Sequence, residues 1–194
     1  MLSKQISTYI VMGKKKNVLV ISGSPRRNGN SDLLSEAFIK GVKQTGHEVE
    51  LFQAGRKQIK PCIACNKCYS KGTACVFKDD FNELAPMVEK AEVIVFATPL
   101  YWFSYTAQIK AAIDKIYSLM VGDRPLKIQK SILMVCGETD EMSDFDGIVR
   151  SHQLINNYLK WEDGGILLVR EVNKAGDIMN TNALLRAEEM GRNI

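Results

Sequence analysis

Four cysteines close together in the sequence are the residues best placed to do chemistry. Cys62, Cys65, Cys68 and Cys75 form the pattern C-x2-C-x2-C-x6-C. Spacing this tight lets several thiolates converge on one centre, as an iron-sulfur cluster requires, and a tetrahedral zinc site would use the same sulfur atoms. The longest gap contains Gly72, which lets the loop turn back. A cluster, a zinc ion and free thiols all remain open.

The stretch GSPRRNGNS, residues 23 to 31, is the second candidate. It joins the apolar run VLVIS to a helical pattern and is rich in glycine, asparagine, serine and arginine. Glycines let the backbone approach a ligand, and the N–H groups at a helix start carry partial positive charge, so we expect an anion, most simply a phosphate. The same residue types also suit a plain turn with Ser31 as helix cap. Neither G-x-G-x-x-G nor G-x-x-x-x-G-K-[ST] is present.

The third candidate is the stretch ATPLYWFSYTAQIK, residues 97 to 110, which carries four aromatic rings. Tyr101, Trp102, Phe103 and Tyr105 follow an apolar run, where a buried strand should end. Such a cluster could bury the faces of a planar aromatic ligand, and Pro99 would stiffen the backbone. Packing in the core or at a dimer interface is the alternative.

These three stretches lie among short β-rich runs that alternate with longer helical patterns. Strands are predicted at 17–22, 49–53, 93–98, 132–136 and 165–170, and helices at 31–43, 81–90, 107–119, 145–159 and 181–191. Continuously apolar strands suit a parallel sheet that is covered on both faces. The alternation predicts an α/β flavodoxin-like three-layer sandwich, with a five-stranded parallel sheet in the order 2-1-3-4-5 and helices on both faces. Ligands in such sheets bind at the carboxyl ends of the strands, where the candidate stretches fall.

Composition and charge restrict the class of protein. The chain has 194 residues, 45% hydrophobic and 25% charged, which suits one globular domain at 16–194 after an N-terminal extension at 1–15, with a Cys-rich insertion at 59–79. A net charge of +4 is too weak to indicate nucleic acid. We find no apolar stretch of membrane-spanning length and no export cleavage site, and five cysteines are an odd number. We therefore expect a soluble, cytoplasmic protein without a disulfide scaffold and without a membrane partner.

Three motifs in order, SGSPRRNGNS, PCIACNKC and TPLYWFSYTAQIKAAIDK, resemble the NADPH-dependent FMN reductase and iron-sulfur flavoprotein group of the flavodoxin-like superfamily. The resemblance runs from about Lys16 to the C-terminal helix. It implies a homodimer, or a larger assembly such as a homotetramer, that binds FMN at the subunit boundary. The four-cysteine segment resembles the cluster-binding segment of iron-sulfur flavoproteins.

The resemblance also implies which residues contact FMN. Those expected to hold the phosphate are Ser24, Arg26, Asn28, Asn30 and Ser31. Those expected to flank the ribityl chain and the isoalloxazine ring are Pro99, Leu100, Tyr101, Trp102 and Phe103. In the stretch CGETDE, Gly137 and Glu138 would add contacts from the loop after the fourth strand.

The implied reaction is hydride transfer from NAD(P)H to flavin N5, followed by reduction of free flavin, a quinone or a similar small acceptor. Since neither half requires a side-chain acid or base, we predict no catalytic residue, and we expect His47, His152 and Cys136 to be structural. The alternative is an electron-transfer protein in which a [4Fe-4S] cluster passes electrons from a ferredoxin-like partner to FMN. A receiver domain of the same fold is excluded because Thr98 and Pro99 stand where its acidic phosphoacceptor would be.

Overall fold

The structure is a computed structural model that describes residues 14–194. Of the extension predicted at 1–15, residues 1–13 lie outside the described part. Strands and helices alternate along the described chain, as predicted. The strands are β1 (Asn17–Ser22), β2 (Glu48–Phe52), β3 (Val93–Pro99), β4 (Lys130–Cys136) and β5 (Glu162–Val169). The helices are α1 (Asn30–Gln44), α2 (Phe81–Lys90), α3 (Ala107–Val121), α4 (Asp146–Leu159) and α5 (Ala183–Arg192).

All five strands are parallel, and their order is β2-β1-β3-β4-β5, which confirms the predicted flavodoxin-like fold. Ser22 at the end of β1 pairs with Ala97, and Pro99 at the end of β3 pairs with Cys136. The carboxyl ends of β1, β3 and β4 therefore lie side by side. The loops that follow these strands meet at one edge of the sheet.

Alternate strand residues point into two separate cores. Val18 and Val20 pack with residues of α1 and α5 on one face. Leu19 and Ile21 pack with residues of α2, α3 and α4 on the other face. Since both of their faces are covered, the central strands β1, β3 and β4 are mostly apolar, whereas the edge strands β2 and β5 carry exposed acidic residues.

Strand β5 begins at Glu162, three residues before the predicted start at Gly165. Its pairing with β4 shifts register between Ser131 and Leu133, and Gly165 has a φ of +118°. Glycine accepts this conformation, so an irregularity in the ladder lets the strand run through the glycines instead of starting there.

Helix α1 begins at Asn30, one residue before the predicted start, with Gly29 at its N-cap. Ser31 therefore lies inside the first turn and does not cap the helix. Within residues 14–194, none of the helices has the length and apolar character needed to cross a membrane.

Candidate functional site

A cavity of about 710 Å³ opens at the carboxyl edge of the sheet. The loops after β1, β3, β4 and β5 form its walls. Eleven of the twelve residues predicted to contact the cofactor line it: Ser24, Arg26, Asn30, Ser31, Pro99, Leu100, Tyr101, Trp102, Phe103, Gly137 and Glu138. Asn28 is not among the lining residues; it is exposed and has a φ of +54°. The structure thus brings three distant stretches together, and the contacts of each residue with a ligand stay predictions.

The wall that β1 and α1 provide is suited to an anion. In the described part of the chain, no side chain caps the first turn of α1, whose N-cap is Gly29. The N–H groups of a first helical turn have no partner within the helix, and the helix dipole adds positive charge there. An anion that enters the cavity therefore meets unpaired donors at this point.

Three polar side chains of this wall bind protein atoms. Nη1 of Arg26 donates to the Asn173 carbonyl at 3.2 Å. The Ser24 hydroxyl donates to the Arg26 carbonyl at 2.7 Å. The Asn30 amide donates to the Lys174 carbonyl at 3.0 Å and accepts from the N–H groups of Gly176 and Ile178. Asn30 therefore fastens the loop after β5 to the start of α1, which is a positioning role in addition to the predicted phosphate contact.

Sequence reasoning missed two loops at this site. The loop after β5 lines the cavity with Val172, Asn173 and Ala175. The 3-10 turn Ala54–Arg56 after β2 packs beneath the phosphate loop: a Cβ on Gly55 would lie 2.4 Å from the Ser24 carbonyl oxygen. β2 is the neighbour of β1, so this contact follows from the predicted strand order. The pair Gly55-Arg56, which comes shortly after β2, was the signal in the sequence that could have located the contact.

The aromatic wall is the tip of a tight hairpin. Tyr101 and Ser104 exchange two backbone hydrogen bonds of 3.1 and 3.0 Å. The two residues between them, Trp102 and Phe103, have φ values of +46° and +62°. Positive φ at both central positions defines a type I′ turn, which normally carries Asn-Gly. Trp102 is 92% exposed, and its ring lies edge-to-face against that of Phe103.

The fourth ring of the predicted platform, Tyr105, does not face the cavity. It is 4% exposed and packs edge-on against Phe96 in the core. Its hydroxyl lies 3.3 Å from Nδ1 of His152, and burial raises the pKa of this phenol. Tyr105 follows the hairpin directly, and its side chain is directed back into the sheet, so the platform consists of three rings.

Both histidines make structural contacts. His152 is fully buried, and its Nε2 lies 3.2 Å from the hydroxyl of Ser131. Burial lowers its pKa to about 4, so the imidazole is neutral at physiological pH. Nδ1 of His47 accepts a hydrogen bond from the Lys16 N–H at 3.2 Å.

The loop after β4 also lines the cavity. A Cβ on Gly137 would lie 3.3 Å from Cβ of Leu100, so a larger residue would make Leu100 shift slightly. The Thr139 hydroxyl donates to the Asp144 carboxylate at 2.6 Å, which folds the acidic segment back on itself. Cys136 lines the cavity but is 3% exposed, and burial raises the pKa of its thiol to about 12. This thiol is therefore protonated at neutral pH, and Cys136 is a buried residue, as expected from the sequence.

The four-cysteine segment surrounds a second, smaller cavity of about 30 Å³. All four cysteines line it, together with residues of α3, and all are free thiols. Burial, and then the neighbouring Cys65, raises the pKa of Cys68. The backbone is left-handed at Ala64, Asn66, Tyr69 and Gly72, each of which lies between two of these cysteines. Left-handed residues in turns are a feature of the backbone nests that bind anions, including many iron-sulfur sites.

Four thiols at one cavity are the ligand type that both an iron-sulfur cluster and a tetrahedral zinc site use. Within residues 14–194, no three His, Cys, Asp or Glu side chains are arranged to hold one metal ion.

A buried ion pair adjoins this cavity. Lys115 of α3, which lines it, pairs with Asp79, and their side chains are 3% and 1% exposed. Asp79 also accepts from the Lys60 N–H at 2.9 Å. Asn82 of α2 binds the other end of the segment, with hydrogen bonds of 2.8 and 3.1 Å to the backbone of Cys75. Both ends of the cysteine segment are thus fixed to the helices.

The strand order defines a flavodoxin-like fold, and the uncapped helix start and the aromatic hairpin meet at one cavity at the carboxyl edge of its sheet. Residues 16–158 match the sequence model of NADPH-dependent FMN reductases, and the chain belongs to that family. FMN and NADPH are the cofactor and co-substrate of this oxidoreductase family.

Named relatives agree with this assignment. An iron-sulfur flavoprotein of Archaeoglobus fulgidus is 39% identical over 105 residues, which cover 54% of this chain and 46% of the relative. One from Methanocaldococcus jannaschii is 34% identical over 105 residues and 54% of each chain. This chain spans about half the length of these relatives.

Solved structures share the fold over nearly the whole chain. An NAD(P)H:quinone oxidoreductase from Methanothermobacter marburgensis has a TM-score of 0.72 at 21% identity and covers 92% of this chain and 96% of its own. An azoreductase from Bacillus anthracis has a TM-score of 0.68 at 15% identity and covers 92% and 100%. At such identities the likeness concerns the fold alone.

Proposed function

We propose that this protein is an FMN-dependent oxidoreductase that uses NAD(P)H to reduce a small acceptor such as free flavin or a quinone. When bound, FMN supplies hydride transfer at its N5 atom. The uncapped start of α1 beside a three-ring wall is the observation that carries the proposal, because it matches the phosphate and the planar ring of FMN. The protein's part is to hold the phosphate, flank the ring and exclude water. Because hydride transfer to the flavin requires no side-chain acid or base, the proposal includes no catalytic residue.

The test is an absorption spectrum of the protein purified without oxygen, before and after addition of NADPH. We expect flavin bands that bleach on addition of NADPH and return when a quinone is supplied. A protein that takes up no flavin after incubation with FMN would overturn the proposal.

A second candidate function is electron transfer through a [4Fe-4S] cluster held by Cys62, Cys65, Cys68 and Cys75. Its support is the nest-like backbone around four thiols and the naming of the two relatives above as iron-sulfur flavoproteins. The surrounding surface favours an acidic partner such as a ferredoxin. Residues 51–78 contain no Asp or Glu, and Lys60, Lys67, Lys71 and Lys78 are all exposed.

Iron and acid-labile sulfide content tests this second function. We expect about four irons per chain, the number a [4Fe-4S] centre requires, and their loss when Cys68 is replaced by serine. Iron-free protein after anaerobic reconstitution would leave only the reductase.

We also propose a cytoplasmic homodimer. Free thiols persist in a reducing compartment. Exposed apolar side chains of α3 and α4, among them Met120, Leu154 and Tyr158, border a groove of about 340 Å³. A face of this kind is suited to a second copy of the chain.

A further inference from the structure

A buried carboxylate lies beside the proposed anion site. Asp32 is in the first turn of α1, two residues after Asn30, and its side chain is 6% exposed. Its Oδ1 accepts a hydrogen bond of 2.9 Å from the hydroxyl of Ser22, the last residue of β1. A negative charge in this turn opposes a phosphate and uses the positive end of the helix dipole that the phosphate would otherwise meet.

Arg56 neutralises this carboxylate from a neighbouring loop. Its Nη2 donates to Oδ2 of Asp32, and the guanidinium is 24% exposed. Arg56 ends the 3-10 turn that packs beneath the phosphate loop through Gly55. The pair therefore connects α1 with the loop after β2, and the hydrogen bond from Ser22 links it to β1. Neither Asp32 nor Arg56 lines the cavity.

The same guanidinium fixes the backbone of the phosphate loop. Nη2 of Arg56 donates to the Arg26 carbonyl at 2.9 Å. This carbonyl also accepts from the Ser24 hydroxyl at 2.7 Å and from the Gly29 N–H at 3.4 Å. A carbonyl oxygen held by three donors cannot turn toward a bound anion and repel it.

We propose that Arg56, through its pair with Asp32, is a positioning residue that makes the loop accept the phosphate of FMN and so distinguishes FMN from riboflavin. The inference depends on the proposed FMN site and adds two residues that do not touch the ligand. Charge balance is the central point: with Arg56 absent, the loop presents a buried carboxylate to an incoming dianion.

The test measures the affinities of the apo protein for FMN and for riboflavin, by flavin fluorescence, in the wild type, three variants and a control. For Arg56→Met we expect FMN affinity to fall about 10- to 100-fold, the effect of one uncompensated charge at short range in a partly buried setting. Riboflavin carries no phosphate, so its affinity should change less than about 3-fold on the same argument. Asp32→Asn should bind FMN as tightly as the wild type or tighter. The double variant Asp32→Asn, Arg56→Met should recover most of the lost FMN affinity.

Arg186→Met is the matched control, since Arg186 is exposed on α5 and the variant makes the same change of charge. It should leave both affinities unchanged. Thermal unfolding shows whether each variant folds. If Arg56→Met does not fold, the FMN affinity of the double variant is compared with that of Asp32→Asn instead.

Three results would overturn the inference: equal losses for FMN and riboflavin, no loss of FMN affinity, or a loss that Asp32→Asn fails to rescue. A wild-type protein that binds no FMN is a different failure, because it removes the proposed function itself.

Discussion

Trp102 and Phe103 occupy backbone conformations that ordinarily belong to asparagine and glycine. A left-handed conformation costs about 1 to 2 kcal/mol for a residue with a side chain. Both rings lie at the rim of the large cavity, and the hairpin that carries them is closed by two hydrogen bonds. The strain is therefore located where the proposed flavin ring would lie, as is common for residues retained for function.

Replacing this pair by Asn-Gly separates stability from binding. For Trp102→Asn with Phe103→Gly we expect the free energy of unfolding to rise by about 1 to 2 kcal/mol, because the turn is relaxed. FMN affinity should fall, because two of the three rings are removed. Urea unfolding and FMN titration measure the two effects.

The control for this variant is Lys160→Gly. Lys160, the residue directly after α4, has a φ of +57° and does not line the cavity. Its replacement should raise stability in the same way and leave FMN affinity unchanged. Unaltered FMN affinity in the hairpin variant would show that the two rings do not contact the flavin.

His152 makes folding depend on pH. Its pKa is lowered to about 4 by burial, whereas an unfolded histidine titrates near 6.5. Between these values the unfolded chain binds a proton that the folded chain does not, so stability falls as the pH drops from about 6.5 to 4, by about 3 kcal/mol in total. His152→Gln should remove this part of the pH dependence in urea unfolding. An unchanged slope would mean that folding does not lower the pKa of His152.

At the residue scale, the sequence predicted the members of the site better than their partners. The residue types of the stretch 23–31 predicted an anion site, the family resemblance added Ser24 and Ser31 as contacts, and both line the cavity. The pairing of Asp32 with Arg56 could not be read from the sequence, because 24 positions separate them and only the packing of the 3-10 turn brings them together. Tyr105 is aromatic like the residues of the hairpin, so residue type alone did not separate it from them. Its side chain points into the core because of the turn that precedes it.

At the scale of elements, the cysteine segment has no regular secondary structure of its own, and helices α2 and α3 hold it in place. Lys115 of α3 contributes through the buried pair with Asp79, and its ammonium also lies 5.7 Å from the centre of the Phe81 ring. Removing one member of a buried pair leaves an uncompensated charge in the interior. The cysteine segment should therefore be sensitive to a substitution in α3, although this helix comes after all four cysteines in the sequence.

Two lysines of α3 provide a matched comparison. Lys115→Met should lower the free energy of unfolding by about 3 to 5 kcal/mol, because Asp79 is left buried and charged. Lys110→Met breaks an exposed pair with Asp114 one turn along the same helix and should change stability by less than about 0.5 kcal/mol.

Urea unfolding of the reduced protein measures both variants. Adding Asp79→Asn to Lys115→Met should restore part of the loss. Equal effects at the two lysines would show that the buried pair contributes no more than a surface pair.

Element boundaries were predictable where apolar runs end sharply. The bounds of β1 and α2 agree with the prediction at both ends, whereas β5 begins earlier because its glycines sit in an irregular ladder. The loops after β2 and β5 were not assigned to the site, although all parallel strands end at one edge. Their contributions come from single side chains and backbone groups, which leave no compositional signature.

For the whole molecule, the apolar face of α3 and α4 is the proposed contact between two copies. Tyr158→Glu with Leu154→Glu places two charges on that face and should convert a dimer into a monomer, because burying unpaired carboxylates is unfavourable. Light scattering measures the mass. Leu185→Glu, at an exposed apolar position on α5, should leave the dimer intact. A wild-type protein of single-chain mass would contradict the proposal.

The contacts of Asn30 have a consequence for the order of events during synthesis. Its side chain binds backbone groups of Lys174, Gly176 and Ile178, so one wall of the cavity joins segments separated by more than 140 positions. Translation releases a chain from its N-terminus at about 5 to 20 residues per second. The first strands can emerge and pair seconds before the loop at 173–178 leaves the ribosome. A nascent chain that lacks residues 173–178 therefore cannot form the wall that Asn30 builds with this loop. A cofactor that contacts this wall binds only after translation has passed residue 178.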